Sequence, residues 1–217
     1  MVPPAPAHII DLIVPSTNKS VIYPYYTSLY SFCDADLLNN MYNFLKMEYG
    51  VNTLFTIESY TNLLKEGLQQ HSDQLIANIK ETTKLNYYDK IDLLDFTAFV
   101  QSYALSITMF SMDRGASEVF YLGEDSSIFG GSYDLLDEIE YYDIPDEKED
   151  EFWEFYDQND EVLSNIETKA IVEWFADCWN KADGKIVKLP VYFSFHDYDD
   201  CFDLHKNEWI SDGDKWF

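Results

Sequence analysis

The sequence predicts an α+β fold in a single domain over residues 1–217, helical in its N-terminal half, with β-hairpins in the middle and at the C-terminus. Three observations predict it. Apolar residues recur every three or four positions from Asp34 onward. Runs of strand formers bounded by turn residues follow in the middle and again near the end. No internal repeat or low-complexity linker divides the chain. With 217 residues, 47% hydrophobic and 25% charged, the composition is globular and the length is ample for a core.

Residues 1–32 are proline-punctuated and read as an extended segment. HIIDLIV and SVIYPYY each suit a short edge strand, the second weakened by Pro24. DADLLNNMYNFLKMEYG places Leu37, Leu38, Met41, Phe44, Leu45 and Tyr49 on one helical stripe, with Asp34 suited to the N-cap and Gly50 to the C-terminal turn. SYTNLLKEGLQQ and SDQLIANIKETTKL continue the helices, the latter opening on a Ser72–Asp73 cap. Residues 88–103 repeat the spacing with Ile91, Leu94, Phe96 and Phe99. LSITMFSM and SEVFYL, separated by the turn-like DRGA, predict a β-hairpin. An acidic helical region is expected over 134–161, interrupted by Pro145. ETKAIVEWFADCWNKADG is the best-defined helix: Ile171, Phe175, Cys178 and Ala182 share a face, Trp174 and Trp179 flank it, and Gly184 ends it. KLPVYFSFHDYDDCFDLHKNEWI alternates apolar and polar residues around an acidic turn, which predicts the second hairpin.

Charge sets the functional bounds. Lys and Arg number 14 against 40 Asp and Glu, a net charge of −26. Such a chain repels nucleic acid, whose binding rests on basic residues neutralising phosphates, and attracts cationic partners. The sole arginine, Arg114, also disfavours a phosphate-clamping enzyme. Cys33, Cys178 and Cys201 lack framework spacing and read as reduced thiols. MVPPAPAHIIDLIVPS has no basic n-region, and Asp11 and Pro15 break its apolar run. Neither a signal peptide nor a membrane span is expected, and the cytoplasm is the expected compartment.

No catalytic or metal constellation emerges, so neither an enzyme nor a cofactor is expected. DYDDCFDLHKNE, read from Asp197, spaces carboxylates like an EF-hand loop, but Phe202 stands where the sharp turn needs Gly and Cys201 where an oxygen ligand belongs. Cys178, His196, Cys201 and His205 are zinc-ligand types without the paired short spacing of a zinc site. A Cys201–His196 or Cys201–His205 nucleophile would sit in a negative field that raises the thiol pKa. The glycines of LGEDSSIFGGS form no phosphate-binding fingerprint.

The segment DEKEDEFWEFYDQNDE, residues 146–161, holds four aromatics, nine carboxylates and one cation. On a helix, Phe152, Trp153, Phe155 and Tyr156 share one side, the first use of which is folding; Trp153 is read as core. Glu147, Asp150, Glu151, Glu154, Asp157 and Glu161 fall opposite, a ridge of about 21 Å at about 1.5 Å per residue. Carboxylates three or four apart on a helix repel by about 0.2–0.5 kcal/mol per pair. Only Lys148, at the N-terminal end, offsets them, and the helix dipole favours acids only in the first turn. The six carboxylates, with Tyr156 as an aromatic anchor, are therefore the expected binding surface for a basic protein.

The acidic block 134–161 and the ending EWFADCWNKADGKIVKLPVYFSFHDYDDCFDLHKNEWI resemble, in style, the small acidic immunity proteins that bacteria encode beside polymorphic or contact-dependent toxins. That resemblance implies a non-enzymatic cytoplasmic inhibitor whose partner is a toxin domain; it carries over no specific binding residue. Two further readings use the same residues: a DNA mimic that blocks a nucleic-acid-binding protein, and a metal-dependent acidic enzyme, which would need a concave site with perturbed groups.

Overall fold

The computed structural model describes residues 55–101 and 103–217, so the extended segment over 1–32 and the helix expected from Asp34 lie outside the described residues. Thr56 opens α1 (Ile57–Gln70) with a capping box: its Oγ1 accepts the Ser59 N–H at 3.1 Å, and its own N–H donates to Ser59 Oγ at 3.2 Å. Tyr60, Leu64 and Leu68, four residues apart, are its buried face. Helix α2 (Ser72–Thr82) follows at once and buries Leu75 and Ile79. Ser72 is not its cap. His71 holds that position without a side-chain bond, and Ser72 Oγ instead accepts the indole N–H of Trp174 at 2.9 Å.

A short parallel pair, β1 (Asn86–Tyr87) and β4 (Ile128–Phe129), stands apart from the main sheet. That sheet is built from two antiparallel meanders. β2 (Leu93–Gln101), β3 (Ala104–Met112) and β5 (Ser132–Glu140) form one; β6 (Val191–Phe195), β7 (Asp200–Asp203) and β8 (Glu208–Ser211) form the other. Parallel pairing of β2 with β6 joins them in the order β5-β3-β2-β6-β7-β8. The connection that makes this parallel pair is α3 (Glu149–Lys181), as a parallel crossover requires. The fold is therefore α+β, with helices packed on a mixed sheet.

Leu94, Phe96 and Ala98 of β2, Leu105, Ile107 and Met109 of β3, and Val191, Phe193 and Phe195 of β6 share one core cluster with the helices. Phe175 of α3 lies 4.3 Å from Phe193 and 5.3 Å from Phe96, ring centre to ring centre, and Trp179 lies 5.6 Å from Phe96. The high aromatic content is thus used first for packing. The expected face Ile171, Phe175, Cys178 and Ala182 is buried, and Trp174 and Trp179 are buried with it. Asp183, not Gly184, takes the left-handed conformation after α3 (φ 57°). Gly184 is needed for space, because a Cβ there would fall 2.2 Å from the Trp179 ring.

Three expectations are corrected. Residues 93–101 within the expected helix 88–103 are strand β2. It is a central strand, so Leu93 and Asp95 are buried on one face while Leu94, Phe96 and Ala98 are buried on the other, and the two-residue alternation disappears. The acidic region 134–161 is helical only from Glu149; Ser132–Glu140 is edge strand β5. Register shifts opposite Leu105, Ile107 and Thr108 form a bulge-like irregularity that buries both Leu135 and Leu136, which mimics helical spacing. Finally, SEVFYL is not the partner of LSITMFSM. Both sides of β3 are taken by β2 and β5, leaving 117–122 a single bridge from Glu118 to Met112 and Leu122 93% exposed. DRGA is nevertheless a turn, closed by Asp113 Oδ1 accepting the N–H groups of Gly115 and Ser117. No helix of the described residues is long and apolar enough to cross a membrane.

Candidate functional site

Every carboxylate of the expected ridge faces solvent: Glu147, Asp150, Glu151, Glu154, Asp157 and Glu161 are exposed. Glu147 precedes α3, in the 3-10 turn Asp146–Lys148. Glu151 is neutralised by Lys148, whose ammonium lies 2.9 Å from its carboxylate. Glu154 accepts an amide N–H of Gln158, at 3.3 Å. Among the described residues Asp150, Glu154, Asp157 and Glu161 have no ion pair. On the other side Phe152 is 1% exposed and is the true core residue, whereas Trp153, read as core, is half-buried between Tyr103, Phe152 and Tyr156.

The ridge is not straight. Asn159 leaves the helical region (φ −129°, ψ 15°), and its side-chain amide donates to the carbonyl of Phe155 at 2.7 Å. Asn165 and Asn180 make the same bond to the carbonyl four residues back without leaving the helical region, so the bond accompanies the bend and does not by itself explain it. Glu161 lies beyond the bend from Asp150, Glu154 and Asp157.

The bend also builds a second feature. Tyr156 and Glu167 are separated by 11 residues, yet the phenol of Tyr156 donates to the Glu167 carboxylate at 3.1 and 3.3 Å. On a straight helix their Cα atoms would be about 16 Å apart, beyond the combined reach of the two side chains. Tyr60, from α1, donates to the same carboxylate. Glu167 is 6% exposed, and burial raises its pKa while the two phenols oppose the rise. Burial and the Glu167 charge in turn push the phenols of Tyr60, Tyr141 and Tyr156 well above their usual range.

Glu167 lines a cleft of about 440 Å³ between α3, the end of β2 and the β6–β7 turn. The turn presents His196, Asp197 and Tyr198; Asp197 takes φ 66°, which Asp tolerates better than most residues. His196 stacks against Phe99 with ring centres 5.1 Å apart, and its Nδ1 lies 2.9 Å from Asp197 Oδ2. The hydroxyl of Tyr198 is within 3.2 Å of Ser164 Oγ and 3.4 Å of Thr168 Oγ1. No nucleophile–base hydrogen bond joins these groups among the described residues. The sequence contained one sign of it. Leu163, Glu167 and Ile171 are four apart, which puts a carboxylate within the apolar stripe of α3.

The residues considered for metal or thiol chemistry are placed elsewhere. Cys178 is buried on α3 and Cys201 on β7, and burial first, ahead of neighbouring charges, pushes their thiols up to about 11 and about 12. The EF-hand-like spacing is spread over the β6–β7 turn, β7 and β8. His205 contacts the carbonyl of Leu189 at 2.9 Å. No group of three or more potential metal ligands occurs among the described residues. Compared with known proteins, the chain matches no family model, no curated protein and no solved structure.

Proposed function

We propose that this chain is a non-enzymatic, cytoplasmic binding protein that neutralises a basic partner, and specifically an immunity protein that inhibits a cognate bacterial toxin. The observation that carries the reading is the solvent-facing series Asp150, Glu154 and Asp157, which has no cation among the described residues. Helix stability does not call for it, since like charges at this spacing repel. A basic surface on a partner would relieve that repulsion and would be drawn in rapidly by the field of a chain with net charge −26. A toxin acting on nucleic acid must carry such a basic surface in its active-site cleft.

The test is co-expression of the full chain with the product of the adjacent gene. A complex that survives about 0.1 M salt and weakens steeply toward 1 M, with loss of the toxic activity, supports the reading. Failure to associate at low salt overturns it. Competition with DNA for several unrelated DNA-binding proteins would instead favour a DNA mimic built on the same carboxylates.

A further inference from the structure

The acidic series accounts for attraction to a basic surface, but it leaves Glu167 unexplained. A carboxylate 6% exposed on the apolar side of a helix is costly to bury. It is held by two phenol donors and lacks a cation among the described residues. An ionised carboxylate accepts through both oxygens, with about four lone-pair directions, so two phenols leave it capacity for a further donor. The space beside it is already open. The cleft is walled by the aromatic rings of Phe99, Tyr156, Phe195 and Tyr198, carries Asp197 at its rim, and has no Lys or Arg in its lining among the described residues.

We infer that this cleft is an anchor pocket for one cationic side chain of the basic partner, with Glu167 as its counter-ion and the Tyr156 and Tyr198 rings as its walls. The inference rests on the proposed neutralisation of a basic protein and names where that protein is gripped. Arginine is the side chain the site suits best. Its planar guanidinium stacks on aromatic faces and donates in a fork that matches a carboxylate, whereas a lysine ammonium offers only a point charge. The pocket is continuous with the acidic series, because Tyr156 belongs to both: it follows Glu154 and precedes Asp157 on α3, and it bonds Glu167 across the Asn159 bend. The exposed carboxylates would steer the partner, and the pocket would hold it. A buried, desolvated anchor beside a solvated charged rim is the usual division of labour in a tight interface.

The groups facing Glu167 set its behaviour on binding. Tyr60 from α1 and Tyr156 from the same helix donate to it, and Tyr141, after β5, is coupled to it electrostatically. His196, Asp197 and Tyr198 complete the titratable lining of the cleft. A guanidinium entering there stabilises the ionised carboxylate.

The full chain is titrated with an acetylated, amidated hexa-arginine peptide, and separately with Nα-acetyl-arginine amide, by calorimetry and by NMR of the glutamate side-chain carboxyl carbons. The expected result is peptide binding that perturbs the Glu167 carboxyl resonance and weakens at least tenfold in Glu167→Gln. A second variant, Ser164→Leu, keeps the carboxylate but fills the mouth of the cleft and is expected to weaken binding similarly. Glu154→Lys with Asp157→Lys should lower the on-rate and the salt dependence, yet leave the Glu167 resonance responsive at saturation. Wild-type affinity in a folded Glu167→Gln protein, with no response at Glu167, overturns the pocket and leaves the neutralisation reading standing. Equal affinity for the single arginine amide and the peptide would overturn the assignment to a protein side chain, making the cleft a small-molecule site. Loss of binding in the Glu154/Asp157 variant with an unresponsive Glu167 in the wild type would likewise overturn the pocket alone.

Discussion

The ammonium of Lys215 meets the carboxylate of Asp95 across 120 residues of chain, with both side chains buried. Ser194 donates to the other oxygen of Asp95 at 2.6 Å, and Asp212 gives Lys215 a second carboxylate partner. The C-terminal 3-10 turn Asp212–Trp216 is thereby pinned to the sheet face opposite the helices, beside the small cluster of Leu93, Tyr192 and Cys201. Removing one member of such a buried pair strands the other. Lys215→Ala is therefore expected to cost about 3–5 kcal/mol, read from urea denaturation, and the double change Asp95→Leu with Lys215→Met to recover most of it.

The same pair sets an alkaline limit. Burial pulls the Lys215 ammonium down, but Asp95 and Asp212 outweigh it and hold the group above its ordinary 10.5. A raised lysine contributes stability that is fully present below the unfolded value and is lost as pH rises through the folded one. Wild-type protein should lose stability above about pH 10.5 more steeply than the Asp95→Leu/Lys215→Met protein, as measured by thermal melts across pH 9–12. Parallel curves would show that the pair is not the group responsible.

Glu167→Gln should not destabilise the chain at neutral pH, and is expected to raise its melting temperature. Burial lifts the folded pKa of Glu167 above 4.5, so the folded state holds this proton more tightly than the unfolded chain. The stabilisation is present below the unfolded value and disappears as pH climbs through the folded one, above which the site holds a buried charge. Glutamine retains an acceptor for Tyr60 and Tyr156 without that charge. A melting temperature that falls on substitution would mark the carboxylate as structural rather than as a group kept for binding at the expense of stability.

Gly67 lies where α1 meets the chain after β5. A Cβ there would fall 2.1 Å from the carbonyl oxygen of Tyr141, a backbone atom that cannot rotate away. Gly67→Ala, which helix propensity alone would favour, is instead expected to cost about 1–3 kcal/mol through overpacking, measurable by chemical denaturation.

Glu154→Lys with Asp157→Lys should leave the fold intact, because both residues are exposed and have no ion pair among the described residues. Stopped-flow association with the adjacent gene product should slow several-fold, and the rate should depend less on salt. Unchanged association kinetics would remove these carboxylates from the interface.

Much of this molecule was legible in its amino acids. Spacing of three and four located α1, α2 and α3, including the buried set Ile171, Phe175 and Cys178, because each helix buries one stripe and solvates the rest. The exposed acids from Glu147 to Glu161 followed from the same projection, since burial of Phe152 dictates which way its neighbours face. Tertiary structure decided the rest. β2 hides its period because sheet neighbours and two packed faces bury consecutive residues, and β5 hides its own behind a local irregularity. The choice of β5 over residues 117–122 as partner for β3 depends on competition for an edge, which no local window contains. The cleft depends on most of these at once. Glu167 gains its meaning from Tyr60 of another helix, from Tyr156 across the kink at Asn159, and from a turn after β6. Periodicity reports what each element does by itself; only the packed chain brings a buried carboxylate, two phenols and an open cleft to one place.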